Sequence, residues 1–136
     1  MDKKRDTPND IEITHVEEKQ EKPKPKIKLQ IKEDGEGDFV KAGDRVYVYY
    51  RGMLTNGDVF DSNENDKYAM SFVVGNDEVI EAWDKAFLSM QVGTAARIVS
   101  PPEYAFGNEE MGDGLIPANS TLIFDVEIVD IKRAKK

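Results

Sequence analysis

One segment of this 136-residue chain changes its hydrophobic period, and that change restricts the fold more than any other feature. Before and after it, apolar and polar residues alternate, as they do in strands that bury one face of a sheet. Between residues 79 and 90, Val79, Ile80, Trp83, Ala86, Phe87 and Met90 instead recur every three or four residues. That spacing predicts a helix of about three turns with one apolar face. Asn76 or Asp77 is placed to cap its start, and Gly93 to let the chain leave. One short amphipathic helix among strands implies an α+β domain with the helix packed on one face of the sheet.

The strands are read from their alternation. Ile27, Leu29 and Ile31 oppose Lys28, Gln30 and Lys32, and a turn follows at residues 34–37. A second strand runs over residues 45–54. Asn56-Gly57 then marks a hairpin, because both central residues of the favoured turn need positive φ. Residues 59–61 return antiparallel, and residues 68–74 form another strand that stops at Gly75. Strand periodicity resumes over residues 95–100 until Pro101-Pro102, and the last strand sets Leu122, Phe124, Val126 and Ile128 on one face. A core of about 110 residues buries roughly 65% of its unfolded surface, enough to stand without metal or disulfide staples.

The chain has no cysteine, so disulfides and thiolate chemistry are excluded. Its densely charged first twenty residues contain no secretory signal, and no stretch is long and apolar enough to span a membrane. Residues 1–25 have only Ile11, Ile13 and Val16 as branched aliphatics and end in Lys22-Pro23-Lys24-Pro25, which reads as a disordered, proline-stiffened tail. The formal charge of −8 is uneven: residues 26–131 hold 9 basic against 20 acidic side chains, and residues 132–136 add four positives. Such a domain disfavours a nucleic-acid backbone as its partner.

Reactive constellations are missing as well. The one histidine, His15, lies in the polar tail. Residues 61–66 begin like a calcium loop, but Asp66 stands where the sharp-turn glycine belongs and Phe72 where the bidentate glutamate belongs. A solvated loop whose Asp and Asn groups bond their own backbone is the better reading. Glu109, Glu110 and Asp113 sit in a glycine-rich segment without neighbours to fix them, which predicts an exposed loop with no metal or acid–base role. What remains is a set of aromatics, and an apolar pocket lined by them.

Read in order, Val48-Tyr49-Tyr50-Arg51-Gly52-Met53-Leu54, Gly57, Phe60-Asp61-Ser62, Phe72, Val74-Gly75, Glu78-Val79-Ile80, Trp83, Met90-Gln91-Val92-Gly93, Tyr104-Ala105-Phe106-Gly107, Ile116-Pro117 and residues 122–127 closely resemble the FKBP-type peptidyl-prolyl cis/trans isomerases. The resemblance covers about residues 38–131. It implies an antiparallel half-barrel sheet of five to six strands wrapped around one short helix, with residues 26–132 as the domain and residues 133–136 as a basic C-terminal tail.

Carried over by position, the resemblance assigns Tyr50, Phe60, Asp61, Trp83 and Phe124 to catalysis, with Trp83 as the pocket floor and Asp61 as a buried carboxylate near Tyr50. Met70, Phe72, Val79, Ile80, Phe106, Leu115 and Ile116 become binding residues, Phe72 standing behind the others, and Ile80 N–H the donor to a ligand carbonyl. Four positions depart from the family pattern. Phe106 replaces a tyrosine, Met70 an aromatic and Asp66 an arginine, and the loop before Leu115 is one residue longer. The implied function is isomerisation of X-Pro bonds in polypeptides, without cofactor or metal, with binding of macrolides such as tacrolimus or rapamycin. The setting read with it is a monomer in the cytoplasm or nucleus. A weakly catalytic or non-catalytic binding or chaperone module is the alternative, and the Lys22-Pro23-Lys24-Pro25 run is a candidate pseudo-substrate.

Overall fold

The computed structural model of the chain describes residues 10–14 and 25–134. Among the described residues, seven strands form one sheet: β1 (Ile11–Thr14), β2 (Ile27–Glu33), β3 (Arg45–Leu54), β4 (Val59–Ser62), β5 (Met70–Val73), β6 (Ala95–Ser100) and β7 (Leu122–Lys132). Their order is β1-β2-β6-β7-β3-β4, with β5 pairing the first half of β3. The one α-helix among the described residues, α1 (Glu81–Ala86), continues into a 3-10 turn at Phe87–Ser89. The α+β class stands, and the strand count rises from five or six to seven.

Two-residue alternation decides which face meets the helix. Leu29 of β2 pairs Ile98 of β6, Ile98 pairs Phe124 of β7, and Phe124 pairs Gly52 of β3. This row is buried. One residue along each strand, Gln30, Arg97, Asp125 and Arg51 make the next row on the opposite face. The core closes where Ala82, Trp83, Ala86 and Phe87 of the helical segment, all 3% exposed or less, pack onto the first face. Full burial of each large apolar side chain stabilises by about 1.5–3 kcal/mol before chain entropy is counted.

Four expectations about local structure are corrected. Residues 10–14 are not part of a disordered tail: β1 pairs β2 in parallel, Ile11 beside Ile27, and Ile11 is 7% exposed. Ile11 and Ile13 gain this place only by covering the free edge of β2, which the tail's composition could not reveal. The remaining tail features, His15, Val16 and the Lys22-Pro23-Lys24 run, lie outside the described residues. At the other end, β7 stops at Lys132 and the two residues after it are tied down as well. Arg133 donates to Asp44 Oδ2 at 2.8 Å and to the carbonyls of Asp38 and Phe39, while Ala134 N–H donates to Asp44 Oδ1. Burial raises the Asp44 pKa, but the bonds from Lys41, Ala134 and Arg133 outweigh it and leave the carboxyl below its ordinary value.

The helix is shorter than its apolar spacing suggests. Ile80 is the N-cap, with extended φ −62° and ψ 155° and no side-chain cap bond. Neither Asn76 nor Asp77 caps it, because Asp77 sits at φ 58° in the preceding turns. Asp84 reaches back from the helix instead, accepting Gly75 N–H at 2.8 Å and Asp77 N–H at 3.2 Å. The Asp61–Asp66 loop is likewise not held by its own backbone alone. Asn63, 6% exposed, accepts Tyr50 N–H at 2.7 Å and donates to Val48 O at 3.0 Å, which fastens the loop to β3.

Candidate functional site

The open end of the curved sheet, the start of α1 and the loop before β7 enclose a cleft of about 330 Å³. This lies at the small end of the range for ligand pockets. Its floor is Trp83, 3% exposed, which stacks on Phe87 at 5.3 Å and 28°. Tyr50 and Phe124 stand edge-on to the indole at 5.3 Å and 5.2 Å, the arrangement that ring quadrupoles favour. Among the described residues the buried indole N–H finds no oxygen or nitrogen acceptor. The rings packed around the indole are those of Tyr50, Phe72, Phe87 and Phe124.

One wall depends on a missing side chain. Phe60 of β4 meets Phe124 of β7 edge-to-face at 5.7 Å and 90°, directly over Gly52 of β3. A Cβ on Gly52 would come within 2.7 Å of the Phe60 ring and 2.9 Å of the Phe124 ring. Glycine here is a condition for the two rings to meet, although the isolated Gly in a strand run signals close approach rather than any role in a site.

The polar edge is Tyr50 with Asp61. Tyr50 Oη donates to Asp61 Oδ2 at 2.7 Å. Burial, then the Asp61 carboxylate and then Asp66 push the phenol well above its ordinary pKa, so Tyr50 stays a neutral donor at physiological pH. Asp61 itself is exposed, a correction to the buried carboxylate implied by resemblance: among the described residues β4 is an edge strand with no further strand outside it. The far rim comes from half-buried Phe106 and from Leu115 and Ile116, which a bridge between Met111 and Ile116 folds over the cleft.

Val79 and Ile80 line the cleft from the extended segment that leads into α1. Ile80 O takes the first helical bonds, from Trp83 N–H at 3.0 Å and Asp84 N–H at 3.3 Å, but Ile80 N–H has no partner among the described residues. All of the residues singled out from the sequence border this cleft except Phe72. Phe72 packs behind the floor, 5.6 Å from the Trp83 ring. Gly112 borders the cleft too, and sequence reasoning missed it along with the spacing role of Gly52. Glu109, Glu110 and Asp113 are exposed beside the rim.

The cleft thus combines an aromatic floor, a neutral phenol paired to a carboxylate and a backbone donor with no partner among the described residues. The family model for FKBP-type peptidyl-prolyl cis-trans isomerases matches residues 36–129. The chain belongs to that family. It is 39% identical over 111 residues to FK506-binding protein 1A of Neurospora crassa, covering 81% of this chain and 92% of the relative. It is 44% identical over 104 residues to FK506-binding protein 4 of Mycosarcoma maydis, of which it spans only 27%. The crystal structure of FkpA from Escherichia coli superposes with a TM-score of 0.70 at 37% identity, over 81% of this chain and 50% of that one. As a member of the FKBP-type isomerase family the chain carries the domain on its own sheet and helix, and no described helix is long and apolar enough to cross a membrane.

Proposed function

We propose that this cleft accelerates cis/trans rotation of X-Pro bonds in polypeptides, and that macrolides of the tacrolimus and rapamycin type compete for it. The observation that carries this reading is the Ile80 N–H beside the aromatic floor, which has no partner among the described residues. Rotation must break amide resonance across a barrier of ~18–20 kcal/mol. The twisted amide has lost charge separation, so a desolvated aromatic surface favours it over the planar ground state, and no nucleophile is needed. In this reading Trp83, Phe60 and Phe124 surround the proline ring, Ile80 N–H anchors a flanking carbonyl, and the Tyr50–Asp61 pair supplies the polar edge. Each ~1.4 kcal/mol of selective stabilisation gives a tenfold rate.

Met70, Leu115 and Ile116 make the surroundings of the ring apolar, which favours a bulky apolar residue before proline. Protease-coupled or NMR-exchange assays on peptides with Leu, Ala and Glu before proline test this. Leu should turn over fastest, and equal turnover of all three, or of none, overturns the reading. Half-buried Phe106, with no hydroxyl to offer a substrate carbonyl, favours the second reading, a binding or chaperone module with little turnover. Peptide or macrolide binding without rate enhancement selects it. The setting proposed with both readings is a monomer in the cytoplasm or nucleus, testable by sedimentation and cell fractionation.

A further inference from the structure

The helix that carries the floor of the cleft has only six residues and no side-chain cap. Helices this short do not persist by themselves, so α1 is placed by its buried face on the sheet and oriented by the polar ties at its two flanks. On one flank, Asp84 holds the loop backbone at Gly75 and Asp77. On its other side the tie comes from far away in sequence: Lys85 Nζ reaches Asp10 Oδ2 at 3.1 Å, and Glu81 Oε2 more loosely at 3.7 Å. Asp10 leads into β1, and its carbonyl accepts Ile27 N–H at 3.2 Å, so the carboxylate is anchored to the sheet.

The same cluster reaches the rim of the cleft. Tyr104, two residues before Phe106, is half-buried, and its phenol is held above its ordinary pKa by burial and then by Asp10 and Glu81, with Lys85 opposing. The hydrogen bond from Lys85 to Asp10 raises the ammonium's pKa, so Lys85 stays a cation across the physiological range. Asp10 Oδ1 is buried with no hydrogen-bond partner among the described residues. Removing the ammonium would therefore leave a partly buried charge unanswered, which favours release of β1 over a small local adjustment.

We propose that Asp10 and Lys85 are positioning residues for the isomerase site: their ion pair fastens α1 to β1 and thereby sets the Trp83 ring against Tyr50 and Phe124. The inference rests on the reading of the cleft as that site. Strand β1 is thus part of the working domain, because it fixes the far side of the helix that presents the floor.

Trp83 is the chain's one tryptophan, so its emission reports the floor directly. In the full chain, Lys85→Met and Asp10→Asn should each lower kcat/KM for a Leu-Pro peptide by about three- to tenfold, within the ~100-fold that a misplacement of about 1 Å can cost. Both should make Trp83 easier to quench with acrylamide, while Lys85→Arg keeps rate and quenching near those of the unchanged protein. Unchanged rate and quenching in both variants, with only a lower Tm, would show a merely structural pair and overturn the proposal. If Lys85→Met does not fold, the near-isosteric Asp10→Asn decides by the same two readouts. A wild-type chain without isomerase activity would defeat the function proposed above, and the quenching comparison would still decide whether the ion pair sets the floor.

Discussion

The two faces of the sheet use neighbouring residues for opposite ends. On the inner face the row Leu29, Ile98, Phe124 and Gly52 runs on to Asp61 of β4, ending at the polar edge of the cleft. On the outer face the adjoining row sets Arg97 against Asp125 in a two-pronged pair at 2.7 Å and 2.9 Å, with Lys32 3.6 Å from the same carboxylate. Arg51, in that outer row, pairs Glu64 at 2.8 Å. Tyr49 and Tyr50 show the same division, since the first bonds Lys67 O outside and the second bonds Asp61 inside. The buried contacts of the inner face depend on shape, whereas the outer ion pairs are solvent-screened and each contribute little.

Adjacent residues on β7 give the widest contrast. Phe124→Ala should destabilise the fold by about 3–5 kcal/mol and abolish isomerase activity, because it removes a ring packed against both Trp83 and Phe60. Urea unfolding with a parallel rate assay measures both. Activity retained at wild-type level would deny the inner face its assigned part.

Gly52→Ala comes next. The added methyl meets two rings at under 3 Å, so about 1–3 kcal/mol of stability should be lost together with most of the turnover. A neutral result would mean that Phe60 moves aside freely and that the wall is not a rigid one.

Phe106→Tyr sharpens the comparison inside the cleft itself. Restoring a hydroxyl at the rim should tighten macrolide binding by about two- to tenfold, the worth of one neutral hydrogen bond. Isothermal titration gives the answer, and flat or weakened affinity would show that the hydroxyl's absence does not limit this site.

Asp125→Asn on the outer face should cost the least, about 0.5–1 kcal/mol at neutral pH, with isomerase rates unchanged. Its pH dependence has a definite sign. The Arg97 bond lowers the Asp125 pKa below the ordinary 3.8, so its stabilisation is complete above that value and disappears as pH falls through the lower folded value. Unfolding midpoints of the protein and the variant should therefore converge as pH falls through the lowered folded value; a gap unchanged in strong acid would implicate packing instead of charge.

Long alternating strands were legible because a period of two over residues 122–128 has one reading. The aromatics of the cleft were legible for the same reason, together with the resemblance that fixed their order. β1 was not: two isoleucines in a charged stretch become a strand only because β2 offers an edge, a fact of tertiary structure. The start of α1 misled, because Val79 and Ile80 satisfy a helical period while serving the cleft from extended backbone. No local pattern marks a cap that works backward from Asp84, or the closing of the C-terminal end by Arg133 on Asp44. The exposure of Asp61 follows from its edge strand, which sequence order does not reveal.

The placement of β7 has a consequence for biosynthesis. It lies between β6 and β3, bonded to both, although it follows both in the chain. A ribosome therefore releases β3 and β6 well before the strand that joins them exists, and their unpaired edges are open to other nascent chains in the interval. Pairings this distant in sequence also make closure slow relative to a hairpin. Folding must wait for β7 to emerge, and a message cut short just before Leu122 would yield no smaller working domain, only a chain for the cell's degradation machinery.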